Sequence, residues 1–404
     1  MINIETKYEL GDLSIIPAHI SKISKADCNP YEFGGFLPLF ASPMPSVVND
    51  RNMHVFFENK INAILPRTFA YKTRLTYLKN GYWVAFSLDE FKKYFCDKSH
   101  AEHIGKDTVL KVCIDGEIGN EKSLYESVEE AKDLAYINQY NLLVMVGNIA
   151  NPSTYKWICE NARVDYVRIG IGAGHNSLEK TNCGTYYPMA SLINECAEMK
   201  KDYELTKVYK KSKPFIIADG GIKNYDDVIK SLALGADYVM IGSLFSSFLE
   251  SAAEIKSIEM IDNIRYPARF DNNTGNIYYF ANYGASNYIQ KSINIWGASI
   301  EDDKQEFLRS AKSIVKKISG MTTKEMQILV AANKENPEAI VPEKLETSRG
   351  TTNYVQCNCT ISQWAKNMTD YLQYAMQHND KKNLKEFKSG GVVLVRTTKQ
   401  LKRG

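Results

Sequence analysis

Through the middle of the chain, short continuous apolar runs alternate with longer stretches in which apolar residues recur every three or four positions. Val109–Ile114 is an apolar, β-branched run ending at Asp115-Gly116, and an amphipathic helix pattern follows across Ser123–Tyr136. Leu142–Val146 ends in Gly147-Asn148, with a helix expected from about Pro152. Tyr166–Ile169 leads into the glycine-rich Gly170–Gly174 and a helix from about Pro188. Phe215–Ala218 leads into Asp219-Gly220-Gly221 and a helix over Tyr225–Leu234, and Tyr238–Ile241 leads into Gly242-Ser243 and another helix. Short strands that are apolar throughout belong to parallel sheets buried on both faces. Strand–helix units at this spacing build either an open doubly wound sheet or a closed barrel.

The strand ends narrow that choice. Each of these strands stops at Gly, Asp, Asn or Ser. A single such residue is an ordinary turn former, but a succession of them gathers polar and glycine positions at one rim, where (β/α)8 barrels carry their sites. Asp219-Gly220-Gly221 and Gly242-Ser243 follow late strands, the place where barrels often hold a phosphate on loop amides. Glycine lets backbone approach an anion without a Cβ in the way. Asp219 just ahead of the glycines is suited to accept hydrogen bonds from vicinal ribose hydroxyls. The expectation is a (β/α)8 barrel that binds a ribose 5-phosphate unit.

The flanks read differently. Lys256–Glu346 is less regular and rich in Asn and Tyr, with a helix-like pattern over Asp303–Ile318; a segment of this length outside the core reads as a flap or lid, about 256–350. A last apolar run, Val392–Val395, lies near the C-terminus. Composition, 44% apolar and 24% charged, is that of a globular protein. A net charge of +3 is too small to imply nucleic acid, and no apolar stretch approaches the roughly 18 residues of a membrane helix. Met1–Leu10 has no apolar core, so no signal peptide is expected and a cytoplasmic setting is. Of the eight cysteines, Cys113, Cys159 and Cys196 lie in apolar runs and suit reduced core thiols; the six histidines show no ligand spacing, so no metal site is expected.

From Val144 to Glu254 the chain resembles the IMP dehydrogenase/GMP reductase family. The likeness is carried in order by Gly147-Asn148, the run from Val167 to Gly174, Tyr187-Pro188, Ile217–Ile222, Val239–Ser243 and Glu250-Ser251. Weaker echoes are Gly11–Ala18, Pro43-Met44, Cys113–Asp115, Tyr283–Ser286 and Leu384–Thr397, so the likeness covers nearly the whole chain. The resemblance implies a purine nucleoside monophosphate as substrate and NADPH or NAD as cofactor. It places Asp219 on the ribose, with Gly220, Gly221, Gly242, Ser243, Tyr283 and Gly284 on the phosphate. Met44, Asn148, Gly172, Gly174 and His175 complete the substrate side, and Asp115, Gly170 and Glu250 the cofactor side. It also allows a monovalent cation near the 170–184 loop and implies a homo-oligomer, tetramer or octamer. Dehydrogenases of the family insert a pair of regulatory CBS domains that about forty residues between Arg67 and Thr108 cannot hold, so one barrel domain over 1–404, nearer the reductase type, is expected.

One departure bears on the chemistry. The family's reaction runs through a cysteine thiolate that attacks carbon 2 of the purine, and Ser177 occupies that position here. A serine hydroxyl needs an adjacent base; His175 and Glu179 flank it. Cys183, six residues on in the same loop, is a second candidate nucleophile, and Glu343 a candidate acid/base by partial likeness to the flap. Two functions stay open: a purine nucleotide oxidoreductase, either a GMP reductase making IMP or a dehydrogenase without CBS domains, and a non-redox purine-nucleotide-binding relative. A Schiff-base aldolase-like barrel is disfavoured, because none of the five strands ends in lysine.

Overall fold

The computed structural model describes residues 5–116, 119–174, 177–205, 212–261, 267–282, 288–297, 299–332, 347–348, 350–389 and 393–396. Eight parallel strands close into a barrel: β2 (Leu39–Ala41), β3 (Asn62–Leu65), β4 (Trp83–Phe86), β5 (Val109–Ile114), β6 (Asn141–Ile149), β7 (Tyr166–Ile169), β8 (Phe215–Asp219) and β9 (Tyr238–Ile241). β9 pairs back onto β2, Leu39 opposite Val239, so the ring has no open edge. The earlier β1 (Leu13–Ile16) pairs outside the ring with the final strand, β16 (Val393–Arg396). The chain is therefore an α/β protein of the (β/α)8 class, and the closed alternative was the right one of the two that the spacing allowed.

The expected helices appear at Lys122–Ile137, Pro152–Asn161, Met189–Leu205 and Tyr225–Ala233. Asn151 begins the second of these with its side chain accepting from Ser153 N and Pro152 at the first helical position, an ordinary helix start. Between Leu65 and Val109 stand Tyr71–Lys79, β4, Leu88–Phe95 and Lys98–Ala101, all elements of the ring and its helical shell.

Side chains of a strand alternate between its two faces, and the barrel separates them into two cores. Helix-facing positions join one large cluster with the shell. Interior positions make a second, with Phe40, Ile64, Trp83, Cys113, Met145, Ile217 and Met240 at its centre and Tyr166 and Tyr238 partly buried at its edge. Rings of Phe40, Trp83, Tyr166 and Tyr238 meet edge-on at centroid separations of 5.1–5.7 Å for Trp83–Tyr166, Phe40–Tyr238 and Phe40–Trp83, a favourable arrangement of aromatic quadrupoles. The interior is a packed plug, so a ligand can reach only its upper end.

The 256–350 segment is more regular than its composition suggests. β10 (Glu254–Met260), β14 (Ala311–Ser319) and β15 (Thr352–Gln356) form one antiparallel sheet; β11 (Arg269–Asp271), β12 (Asn276–Asn282) and β13 (Tyr288–Asn294) form another. The helix expected over Asp303–Ile318 is half strand: helix Glu301–Ser310 gives way to β14. Tertiary packing overrides the local pattern there. Lys316 is fully buried and donates to Phe248 O at 2.7 Å, Leu249 O at 2.9 Å and Ser251 Oγ at 2.8 Å, which ties β14 to the turn after β9. Burial pushes its ammonium down to about 8.

Arg74 makes a comparable tie in the shell. Fully buried, it donates to Phe69 O and Ala85 O at 2.9 and 3.0 Å and pairs with both oxygens of Glu90. Removing one partner strands the other, at a cost of about 3–5 kcal/mol. Arg74→Met should lower unfolding stability on that scale in urea, and Arg74→Met with Glu90→Leu should recover most of it.

Candidate functional site

The upper end of the barrel interior is charged. Two residues above Tyr166 on β7, period-two alternation turns Arg168 inward; by the same count Asp219 tops β8 above Ile217, and Asp115 follows β5 above Cys113. Arg168 is almost wholly buried. Its Nη1 donates to Asp115 Oδ1 at 2.9 Å and lies 3.8 Å from Asp219 Oδ2, while Nη2 donates to Ile114 O at 3.1 Å and Gly147 O at 3.4 Å. A guanidinium taken out of water must be met by charge and acceptors of this kind. Asn148 adds one more contact. β6 shifts register between Gly147 and Ile149 against β7, and the displaced Asn148 donates from Nδ2 to Asp219 Oδ2 and to Gly170 O, both at 2.9 Å. Burial raises the Asp219 carboxyl above its ordinary range; Arg168 and Asn148 pull against that rise, and Asp115 adds to it.

Above this layer opens a cavity of about 470 Å3, within the range of small-molecule sites. The glycine-bearing strand ends converge on it: Asp115-Gly116, Asn148, Gly170, Gly172, Gly174, Asp219–Gly221 and Gly242-Ser243 all line it, with Met44 beside them. Gly170 is required by space as well as conformation. Its φ is +122°, and a Cβ there would lie 2.4 Å from both Asp219 O and Met189 Cε. A side chain at this position would push Asp219 out of the layer.

The IMP dehydrogenase/GMP reductase domain matches residues 90–266, the stretch that carries β5 to β9 and their loops. The GMP reductase of Staphylococcus epidermidis is 28% identical over 264 residues, 62% of this chain and 75% of that protein. The GMP reductase of Bacillus cereus is likewise 28% identical over 265 residues, 62% and 74% of the two chains, and that of Staphylococcus aureus 27% over 264 residues, 62% and 75%. Residues 90–266 thus carry an IMP dehydrogenase/GMP reductase domain.

The loop after β7 carries the candidate nucleophiles. Ser177 Oγ accepts from Glu179 N at 3.4 Å, and Ser177 pairs through a single antiparallel bridge with Gly350. One π-type turn, Glu179–Cys183, follows and ends at Gly184 with φ +68°. Ser177, Glu179 and Cys183 all line the cavity, and the Cys183 thiol is free and exposed. The loop is held from outside by the N-terminal segment. Glu9 Oε1 accepts from Tyr186 Oη at 2.5 Å and Lys180 Nζ at 3.5 Å, and Glu9 Oε2 from Met189 N at 3.3 Å.

Four residues that the family resemblance pointed to, His175, Tyr283, Gly284 and Glu343, lie outside the described residues. Glu250 does not line the cavity, contrary to expectation. It is fully buried, accepts from Ile361 N at 3.0 Å at the start of helix Ile361–His378 and pairs with Lys304 at 3.4 Å. Burial raises its carboxyl, with Lys304 opposing. Structural duty, meeting the first turn of helix Ile361–His378 and pairing with Lys304 of helix Glu301–Ser310, accounts for its burial. Sequence reading passed over Arg67, Arg168 and Gly320–Thr322, which also line the cavity. Arg168 had a signal: a lone charge inside a four-residue apolar strand must be buried against partners. Gly320–Thr322 had none, since only the turn after β14 brings them there. Groups of three or more His, Cys, Asp or Glu able to hold a metal are absent among the described residues, and no described helix is long and apolar enough to cross a membrane.

The titration of Asp219 yields a sign. The role that the resemblance implies for Asp219, accepting from ribose hydroxyls, calls for an ionised carboxylate, and on that expectation nucleotide affinity should rise with pH through the raised Asp219 pKa. Asn148→Leu removes a donor that stabilises the ionised form, which raises that pKa further and moves the affinity profile to higher pH. Calorimetric titrations of both proteins across pH 4.5–8 check this, since the nucleotide's own phosphate ionisation is common to the two. A profile moved to lower pH in the variant would contradict it.

Proposed function

We propose that this chain is an oxidoreductase acting on a purine nucleoside monophosphate with a nicotinamide cofactor, in the manner of a GMP reductase: GMP is reductively deaminated to IMP. One observation carries the reading. Asp219, Gly220, Gly221, Gly242 and a free thiol at Cys183 line one cavity, which supports a site that takes a ribose-phosphate and a nucleophile for its base together. Asp219 accepts from the ribose hydroxyls, held at its post by Asn148 and Arg168. Backbone at Gly220-Gly221 and Gly242-Ser243 receives the phosphate, and Met44 packs near the base.

The cavity also suits a dinucleotide. Its Asp115 end carries a carboxylate and, at Arg67, a buried N–H with no acceptor among the described residues, a donor set matched to an oxygen-rich ligand. Asp115, Gly116 and Gly170 would hold its nicotinamide ribose, and when bound the cofactor supplies the hydride. In the reductive direction the Cys183 thiolate adds to carbon 2 of GMP, and the 2-amino group gains protons and leaves as ammonia. Hydride that a nicotinamide held by Asp115, Gly116 and Gly170 would supply at carbon 2 would replace the bond to Cys183, releasing the thiolate and IMP. Thiolate nucleophilicity near neutral pH suits this step better than the Ser177 hydroxyl; Glu179, on the same turn, is placed to carry protons. The family's assembly into tetramers or octamers is part of the same reading.

A second reading, a nucleotide-binding protein without redox turnover, is favoured by the resemblance itself, which puts Ser177 in the place of the family's cysteine.

Calorimetry with GMP, IMP, XMP and AMP tests the site. One monophosphate should bind, and Asp219→Ala should weaken it by about 1.5–3 kcal/mol, the scale for a hydrogen bond to a charged group. Absorbance at 340 nm then tests the reaction. Cys183→Ala should abolish NADPH oxidation while leaving nucleotide affinity in place, and Ser177→Ala should retain turnover. No absorbance change with any of these monophosphates and either cofactor would sink the redox reading and leave the second.

A further inference from the structure

Arg67 follows β3 by two residues and lines the cavity at the Asp115 end. It is the second guanidinium there, and the protein makes little use of it. Its Nε is buried without a hydrogen-bond partner among the described residues, and its side chain is 18% exposed. The charge facing it is Asp115 Oδ2, 3.7 Å from Nε, beyond hydrogen-bond reach. Arg168 already holds that carboxylate through Oδ1 at 2.9 Å. Gly116, with φ +92°, lies against the guanidinium so closely that a Cβ would stand 2.6 Å from Nη2 and 2.8 Å from Cζ.

A desolvated donor left unmet is unfavourable, and native proteins keep few of them. Here the unmet donor stands at a cavity wall, and a glycine makes room for it. A guanidinium is donor-only and planar, and its fork matches the paired oxygens of a phosphate or carboxylate. Its contacts point to the ligand it serves. β3 stands opposite β7 among the eight strands, so Arg67 faces the Ser177–Cys183 loop across the cavity. The nucleotide's ribose and phosphate are assigned to the loops after β8 and β9, whereas the residues that Arg67 meets are Asp115 and Gly116, after β5.

We propose that Arg67 is a binding residue for the site's second ligand, donating to a phosphate oxygen on the nicotinamide side of a dinucleotide. This rests on the function proposed above. Gly116 is then the complement that keeps the guanidinium against the wall, and Asp115 orients it by charge while leaving its N–H groups free.

The test is binding, with no turnover required. NADPH is titrated by its fluorescence into protein saturated with IMP, using the wild type, Arg67→Met and Arg67→Lys; IMP affinity is measured separately by calorimetry and reports that the fold and nucleotide site are intact. Loss of a charged hydrogen-bond donor should weaken NADPH by about tenfold or more in Arg67→Met. Arg67→Lys, which keeps the charge but not the fork, should fall between. IMP affinity should stay within about threefold in both, because the nucleotide makes no contact whose loss would cost more. NADPH affinity unchanged in Arg67→Met would overturn the assignment and leave the dinucleotide reading standing. Parallel loss of IMP would overturn it as well, since Arg67 would then serve the nucleotide or the fold. Wild-type protein that binds IMP but neither NADPH nor NADH would overturn the dinucleotide reading, and this assignment with it.

Discussion

Arg168 is the residue on which the site depends. A closed barrel fills its own interior, and here the filling is apolar and aromatic up to the layer of Cys113, Met145 and Ile217. One step higher the inward positions become Asp115, Arg168 and Asp219, joined at 2.9 and 3.8 Å. Two carboxylates at the top of an apolar plug would repel each other; a buried guanidinium between them offsets that repulsion and fixes their spacing. Arg168 also bonds Ile114 O and Gly147 O, so it joins the ends of β5 and β6 as well as the charges above them. The floor of the cavity and the upper surface of the barrel core are one layer of side chains.

This explains which parts of the molecule were legible in the sequence. Barrel strands bury both faces, so they appear as short apolar runs whose ends are marked by Gly, Asp and Asn; β5 to β9 and their helices follow from that alone. Asp219 and Gly170 stood out because their positions demand a charge or a missing Cβ. Glu250 misled because a motif places a residue along the chain and says nothing of which side of the strand's end it leaves by. It turns down to cap helix Ile361–His378 and meets Lys304, a partner 54 residues away. Arg67 was silent for a similar reason: an exposed turn after a strand and a cavity wall look alike until β4 and β5 are in place.

The antiparallel sheets were the least legible part. β14 carries lysines on either side of apolar residues, a pattern that a helix can share over short spans. What selects the strand is Lys316. Its ammonium ends at three carbonyls and a hydroxyl in the turn after β9, an arrangement that a helical β14 segment could not keep while pairing with β10. Gly320–Thr322 reach the cavity because β14 is anchored in this way at its middle. The sheet layer is thus part of the site's wall, held by a buried cation from below.

The Ser177–Cys183 loop has a different support. Glu9 gathers Tyr186, Lys180 and Met189 N on its two oxygens, Tyr8 N and O both meet Ser191, and Lys7 pairs with Glu195 at 2.7 Å. Three consecutive residues of the N-terminal segment therefore fasten the far side of the loop, while Gly350 fastens its near side at Ser177. Between these fixed points lies the Glu179–Cys183 turn, closed by a glycine with positive φ. With both ends pinned, the turn can present only a few side chains to the cavity, and Cys183 and Glu179 are among them. On the function proposed above, a nucleophile six residues along the chain needs a loop held so that it faces the same space, and the N-terminal segment gives the loop such a hold.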